Sequence, residues 1–333
     1  TPSQPHTSLI PAPVATPVTT PVATPVALSS LKLRTATGLL LALLWTPLCF
    51  AGKPIFSVAL FIPLIQALRE YHHIVNNTHG LSSDGLSVGV LSTILACVLA
   101  NYATDLHSFT VPLSTLAVMI QVLVTKKNLV NTGTLTSAIF SYTYISYFMS
   151  FWIRLLDTKV IQFSNLPMES WGPFSVSHGS VLLWWTYAII ASADIGGYMF
   201  GKFFGSHPVS SLGIAAGTAS PGKTVEGVVG GMVFAVASAV MGVVALNPIV
   251  PWHSTSFVSL GYKFALAYGV ILALLSFISD VSVSLFKRNA GVKDASDVLP
   301  GHGGVLDRMD SYILTAPVVY MFWTLVSKQI ETL

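Results

Sequence analysis

Residues 262 to 310 read YKFALAYGVILALLSFISDVSVSLFKRNAGVKDASDVLPGHGGVLDRMD, a long apolar run that passes without a break into a dense polar cluster. From Asp280 to Asp310 this stretch places nine formal charges in 31 positions, out of 29 Asp, Glu, Lys and Arg in the whole chain. A charged side chain at bilayer depth costs roughly 2.5 to 3.5 kcal/mol even on the mildest scale, so such clusters occur where something polar has to be held. The apolar half of the quotation predicts a spanning helix, and the polar half predicts where the chemistry lies.

Composition extends the first reading to the entire chain. Over 333 residues, 53% are hydrophobic and only 9% are charged, with a mean hydropathy of +0.71. Soluble domains carry about a quarter of their residues as charges, so an all-α, polytopic membrane protein is indicated. Runs of about 20 apolar residues rise ~30 Å as helices and are the unit to count. Nine are found, at 33 to 51, 54 to 72, 86 to 104, 108 to 125, 132 to 153, 179 to 200, 225 to 246, 262 to 286 and 311 to 328. Cytoplasm-facing loops carry the excess of Lys and Arg. With the N terminus inside, eleven of the 16 fall on the inner side and five (Lys53, Arg154, Lys159, Lys263 and Lys328) on the outer, which predicts N-in and C-out. The loops after the sixth and eighth spans then share the cytosolic or stromal face.

Three regions follow: residues 1 to 31 as a disordered Pro/Thr/Ala-rich tail, 32 to 178 as N-terminal spans, and 179 to 333 as the C-terminal catalytic region. The tail contains the near-repeat VATPVTTPVATPV from Val14 to Val26 and cannot bury enough surface to offset its ordering entropy. It starts without Met, which fits a trimmed precursor whose targeting sequence is missing or partly retained, and the compartment stays open among plastid, mitochondrion, ER and bacterial inner membrane. The net charge of +3 forms no basic stripe, so nucleic acid is excluded as a partner. Cys49 and Cys97 lie in apolar runs without metal-ligand spacing. His72, His73 and His79 read as a solvated loop, and the connection from 154 to 178, with Trp171 and His178, carries no functional signal.

Within the cluster, Asp280, Ser284 and Lys287 are spaced i, i+4, i+7 and share one helical face. Asp307 and Asp310 are spaced i, i+3, and like charges so placed repel unless a cation or proton lies between them. Oxygen ligands of this kind suit Mg²⁺, which takes one or two carboxylates and completes its shell with phosphates. Between the helices runs Leu299-Pro300-Gly301-His302-Gly303-Gly304, where glycines let backbone amides approach an anion, surrounded by Lys287, Arg288, Lys293 and Arg308. Each piece alone has a blander meaning: Lys287-Arg288 an interfacial anchor, Gly303-Gly304 a turn, Asp307 with Asp310 a helix-dipole effect. Their concurrence in one window points to a phosphate-and-metal site.

The positions Ser284, Lys287, Arg288, Lys293, Asp294, Pro300, His302, Gly303, Gly304, Asp307, Arg308 and Asp310 resemble the signature of the CDP-diacylglycerol synthase (phosphatidate cytidylyltransferase) family. A second block is similar to two further family elements: Asp194-Ile195-Gly196-Gly197-Tyr198 with Gly201-Lys202, and Ser220-Pro221-Gly222-Lys223-Thr224-Val225-Glu226-Gly227. Gly222 stands where the family usually has Lys, Gly197 where it has Ala, and Ser279 where Gly commonly precedes the aspartate at 280. The resemblance implies conversion of CTP and phosphatidate to CDP-diacylglycerol and pyrophosphate at a lipid surface. It implies Asp280, Asp307 and Asp310 as ligands of a two-cation site, Mg²⁺ with a second cation that can be monovalent, and Lys223, Lys287, Arg288, Lys293 and Arg308 as contacts to the anionic substrates. Asp294 and His302 orient the loop in this scheme, Ser220 and Glu226 shape the second loop, and Asp194 is either structural or a substrate contact. GxxxG pairs at Gly197/Gly201, Gly201/Gly205 and Gly227/Gly231 permit close helix approach or the homodimer that the family suggests. The alternatives are a CTP-dependent polyprenol kinase and an ion-coupled transporter using Asp194 and Asp280. No internal repeat supports the transporter, and the CDP-alcohol phosphotransferase pattern is not found in the sequence.

Overall fold

A computed structural model describes residues 26–79, 84–124, 132–157, 176–246, 261–299 and 303–331. Helices cover almost all the described residues of the nine apolar segments, the last being divided by a turn at Leu314, and no strand forms among the described residues. In order the α-helices of the described residues are α1 (Val26–Phe50), α2 (Lys53–His79), α3 (Asp84–Tyr102), α4 (Thr110–Val124), α5 (Thr132–Phe140), α6 (Phe148–Leu155), α7 (His178–Phe204), the short α8 (Ala215–Ala219), α9 (Val225–Leu246), α10 (Gly261–Asn289), α11 (Leu306–Ile313) and α12 (Thr315–Glu331). A short 3₁₀ helix, Thr104–Phe109, leads into α4, a second lies at Val209–Leu212, and a π-helical stretch, Ser141–Tyr147, joins α5 to α6. Among the described residues two helices are long and apolar enough to cross a membrane, Val225–Ala245 and Gly261–Asn289.

Several boundaries differ from the sequence reading. Residues 1 to 25 of the tail lie outside the described residues, while α1 already begins at Val26, where the proline spacing ends and helix formers take over. His72 and His73 are not in a loop: α2 continues to His79, and His72 is buried. His178 opens α7 behind a capping box in which the Ser177 hydroxyl accepts from the Ser180 amide. Residues 158 to 175 of the preceding connection lie outside the described residues.

One core joins both halves of the chain. Phe56, Leu60, Leu64 and Leu68 of α2 are buried with Trp152, Ile153 and Leu155 of α6 and Leu182 and Leu183 of α7. Large aliphatic side chains also face outward on many helices, among them Leu43, Ile62, Leu91, Val233, Met241 and Ile278. Apolar exposure distributed in this way is what a lipid-facing surface requires and what a water-facing one avoids.

The tightest helix pair is α7 with α9, and glycine is the reason. A Cβ at Gly196 would stand 2.6 Å from the Gly230 carbonyl oxygen, and one at Gly230 would stand 2.3 Å from the Phe200 Cβ. A Cβ at Gly227 would come to 2.9 Å from the Gly197 carbonyl oxygen. The glycine pairs singled out in the sequence are therefore used within the chain, bringing backbone against backbone. At the start of α2, Lys53 pairs with Asp157 at 3.2 Å. At 1.5 Å per residue that pair lies about 25 Å along the helix from Glu70, which belongs to the opposite, polar end.

Candidate active site

At that polar end the loops following α7 and α10 meet over one cavity of about 550 Å³. Its walls carry five carboxylates (Asp194, Asp280, Asp294, Asp307 and Asp310) and four cations (Lys202, Lys223, Lys287 and Arg308). Helix α10 supplies Asp280 and Lys287 from one face, as their spacing requires. The Ser284 hydroxyl, buried on the same face, donates to Asp280 Oδ1 at 3.2 Å. Lys223, from the turn before α9, donates to Asp280 Oδ2 at 2.7 Å while its ammonium lies 4.5 Å from the Phe277 ring centroid. That contact ties the second sequence block to the first across 57 residues.

The second ion pair is buried. Lys287 Nζ donates to Asp307 Oδ1 at 2.6 Å, with side-chain exposures of 9% and 4%. Asp307 Oδ2 accepts the backbone amides of Ala295 at 2.8 Å and Gly304 at 2.9 Å. Asp310 Oδ1 accepts its neighbour's amide, that of Ser311, at 2.8 Å. The Asp310 carboxyl is pushed well above the ordinary carboxylate range, first by burial and then by the nearby Asp280 carboxylate. The Ser279 hydroxyl touches the Asp310 carbonyl, lies 2.7 Å from the Tyr144 hydroxyl of the π-helical stretch and accepts the Leu314 amide at 3.3 Å. The serine that replaces the family's glycine thus secures the junction between α11 and α12.

Not every residue singled out in the sequence reaches the cavity. Arg288 turns away from it and donates through Nε to the Ala219 carbonyl at 3.2 Å and through Nη1 to the Val292 carbonyl at 3.4 Å, so that it fastens one loop to the other. Glu226 accepts His207 Nδ1 at 2.5 Å and the His207 amide at 3.1 Å, bracing the loop before α9. Ser220 contributes its carbonyl to the Lys223 amide at 3.1 Å, closing the turn that presents Lys223. Lys293 is exposed outside the cavity lining. His302 lies outside the described residues.

The glycine loop serves a different anion from the one its sequence suggested. Gly303 has φ +77° and a Cβ there would stand 2.9 Å from Asp307 Oδ2, while a Cβ at Gly304 would stand 2.5 Å from Glu70 Oε2. The amides of Gly304, Val305 and Leu306 point at the carboxylates of Asp307 and Glu70. Glu70, on α2, carried no signal in the sequence beyond being an acidic residue in an apolar run. Lys202 and the Ser311 side of α11 are further lining residues outside the predicted site set.

Among the described residues no three Asp, Glu, His or Cys side chains converge closely enough to hold a metal ion unaided. A carboxylate set of this kind suits a hard divalent cation that draws its remaining oxygens from a ligand.

The sequence model of the cytidylyltransferase family matches residues 32–326. The chain is 31% identical over 287 residues to the phosphatidate cytidylyltransferase of Synechocystis sp., covering 83% of this chain and 90% of that protein. It is 27% identical over 306 residues to phosphatidate cytidylyltransferase 4, chloroplastic, of Arabidopsis thaliana, covering 88% and 73%. A phosphatidate cytidylyltransferase of Staphylococcus saprophyticus is 26% identical over 291 residues, covering 87% and 97%. With a cavity built from both signature blocks and a family match over nearly the whole chain, this protein belongs to the cytidylyltransferase family.

Proposed function

We propose that this chain is a phosphatidate cytidylyltransferase, forming CDP-diacylglycerol and pyrophosphate from CTP and phosphatidate. The observation that carries the reading is the charged cavity of the two signature loops, in a chain whose relatives bear that name. In the reaction a phosphate oxygen of phosphatidate forms a bond to the α-phosphorus of CTP. The bond from that phosphorus to the oxygen bridging to the β-phosphate breaks, and its electron pair leaves with pyrophosphate. Ionised phosphatidate needs no general base, so no proton has to move in this step.

The residues then divide by what they can do. Lys223, Lys287, Arg308 and Lys202 face the cavity and offset charge on the triphosphate and the leaving group. Arg288 acts at one remove by fastening the loops, and Lys293 draws anions to the mouth. Asp194 and Asp294 line the cavity as substrate contacts. Asp280 and Asp310 have oxygen lone pairs available to Mg²⁺, whereas Asp307 has only part of Oδ1 left beyond its three donors. A second cation, of either valence, completes the scheme. When bound, the cations neutralise two anionic substrates that would otherwise repel.

The proposal extends to nine membrane spans in N-in, C-out orientation, with both loops on the cytosolic or stromal side and phosphatidate entering from the bilayer. Its support is the Lys/Arg bias and the outward apolar surface. A homodimer would have to use a surface other than the α7–α9 glycines, which are occupied within the chain.

Purified protein incubated with radiolabelled CTP, Mg²⁺ and phosphatidate tests the activity. Chloroform-soluble label is expected, lost with EDTA and restored by Mg²⁺; a label that stays water-soluble under all conditions refutes it.

A further inference from the structure

Glu70 is a buried carboxylate that the reaction scheme does not use. Its side chain, on a residue 3% exposed, accepts four hydrogen bonds. Oε1 takes the Val305 amide at 3.0 Å, the Ser296 hydroxyl at 2.7 Å and Gln66 Nε2 at 3.1 Å, and Oε2 takes the Leu306 amide at 2.8 Å. All four donors are neutral, and no Lys, Arg or His among the described residues forms an ion pair with it. Burying a carboxylate without a counter-cation is costly, and that cost is offset only when its lone pairs are filled by well-placed donors. A glutamine could not replace it cleanly, because one of its two terminal groups is a donor and would face the amides it must accept.

Gln66 is one turn earlier on α2, and the other three donors belong to the start of α11 and to the loop ahead of it. Leu306 and Val305 immediately precede Asp307, Arg308 and Asp310, all three of which line the cavity. The helix end also presents the positive pole of its dipole to the carboxylate. Gly304 completes the fit, since a Cβ there would stand 2.5 Å from Glu70 Oε2. We infer that Glu70 is a positioning residue for the reaction: from α2 it fixes the backbone that aims Asp307, Arg308 and Asp310 into the cavity. A displacement of about 1 Å in such groups costs about 10²-fold in rate, so a residue that never touches substrate can control turnover. The inference rests on the cytidylyltransferase reading for its kinetic arm alone.

The test compares full-length wild type, E70Q, E70D and L68A in detergent. Leu68 is buried on the same helix and serves as the packing control. For E70Q we expect kcat to fall about 10-fold or more with KM for CTP within about twofold, because alignment and not ground-state binding is lost. E70D, which keeps two acceptor oxygens, should retain an intermediate kcat. Amide hydrogen exchange over 303 to 310 should accelerate in E70Q and stay slow in L68A. The inference is overturned if E70Q keeps kcat within twofold, or if L68A reproduces both the kinetic loss and the exchange at a matched loss of thermal stability. Where E70Q does not purify folded, E70D is read alone: a kcat loss of about threefold with faster exchange supports the inference, and no change in either overturns it. Wild type that makes no lipid-soluble product refutes the activity reading, while the exchange measurements still decide the role of Glu70.

Discussion

Replacing Lys287 with methionine should damage stability far more than a change at a surface lysine would. The ammonium is buried against Asp307 at 2.6 Å, with 9% and 4% of the two side chains exposed. Removing one partner of such a pair typically costs 3 to 5 kcal/mol, because the remaining charge is buried without compensation. Asp307 keeps the amides of Ala295 and Gly304, which sets the expected loss at the lower end, about 3 kcal/mol. That is about a hundredfold in the folding equilibrium. The measurement is reversible unfolding in mixed micelles of wild type, K287M, D307N and the double variant. The double variant should be less destabilised than the two single losses added together, by 1 kcal/mol or more, since neutralising both partners removes the orphaned charge. If K287M costs less than about 1 kcal/mol and the two changes simply add, the pair is not buried in the way described, and the reasoning fails.

Gly222 lines the cavity and a Cβ there meets nothing within 4 Å, so G222K should fit and bring a further cation to the triphosphate. At about 1 kcal/mol for a partly solvated charge pair, KM for CTP should fall roughly fivefold, read from steady-state kinetics; an unchanged KM removes residue 222 from the nucleotide's surroundings. G230A should destabilise the protein by about 1 to 3 kcal/mol in the same unfolding assay, because its Cβ would run into the Phe200 side chain. Both native cysteines are buried, so K293C should be the main target of a membrane-impermeant maleimide. Labelling is expected only from the cytosolic or stromal side, and labelling from the opposite side alone would invert the proposed topology.

The helical content was legible because long apolar runs have few other outcomes, and a shared site for the two signature blocks was legible through the family resemblance. Side-chain direction was not. Arg288 follows Lys287 by one position, which on a helix turns it about 100° away, toward the Ala219 and Val292 carbonyls instead of the cavity. The glycines at 303 and 304 promised free amides for a phosphate, yet the anions they admit are the protein's own Asp307 and Glu70. Glu70 itself was invisible: a lone acid in a helix has no meaning until folding brings a helix start to it from 236 residues away. The histidines of α2 were misplaced because three polar residues near the end of an apolar run look like a stop, whereas packing of Tyr71, Ile74 and Val75 carries the helix onward.

Amides at 304 to 306 that already have carboxylate partners are not waiting for a nucleotide to organise them. The conformational entropy of this bend is surrendered once, during folding, and not again at each turnover. Arriving substrates therefore meet a rigid edge, and their binding energy remains available for bringing two mutually repelling phosphates into line.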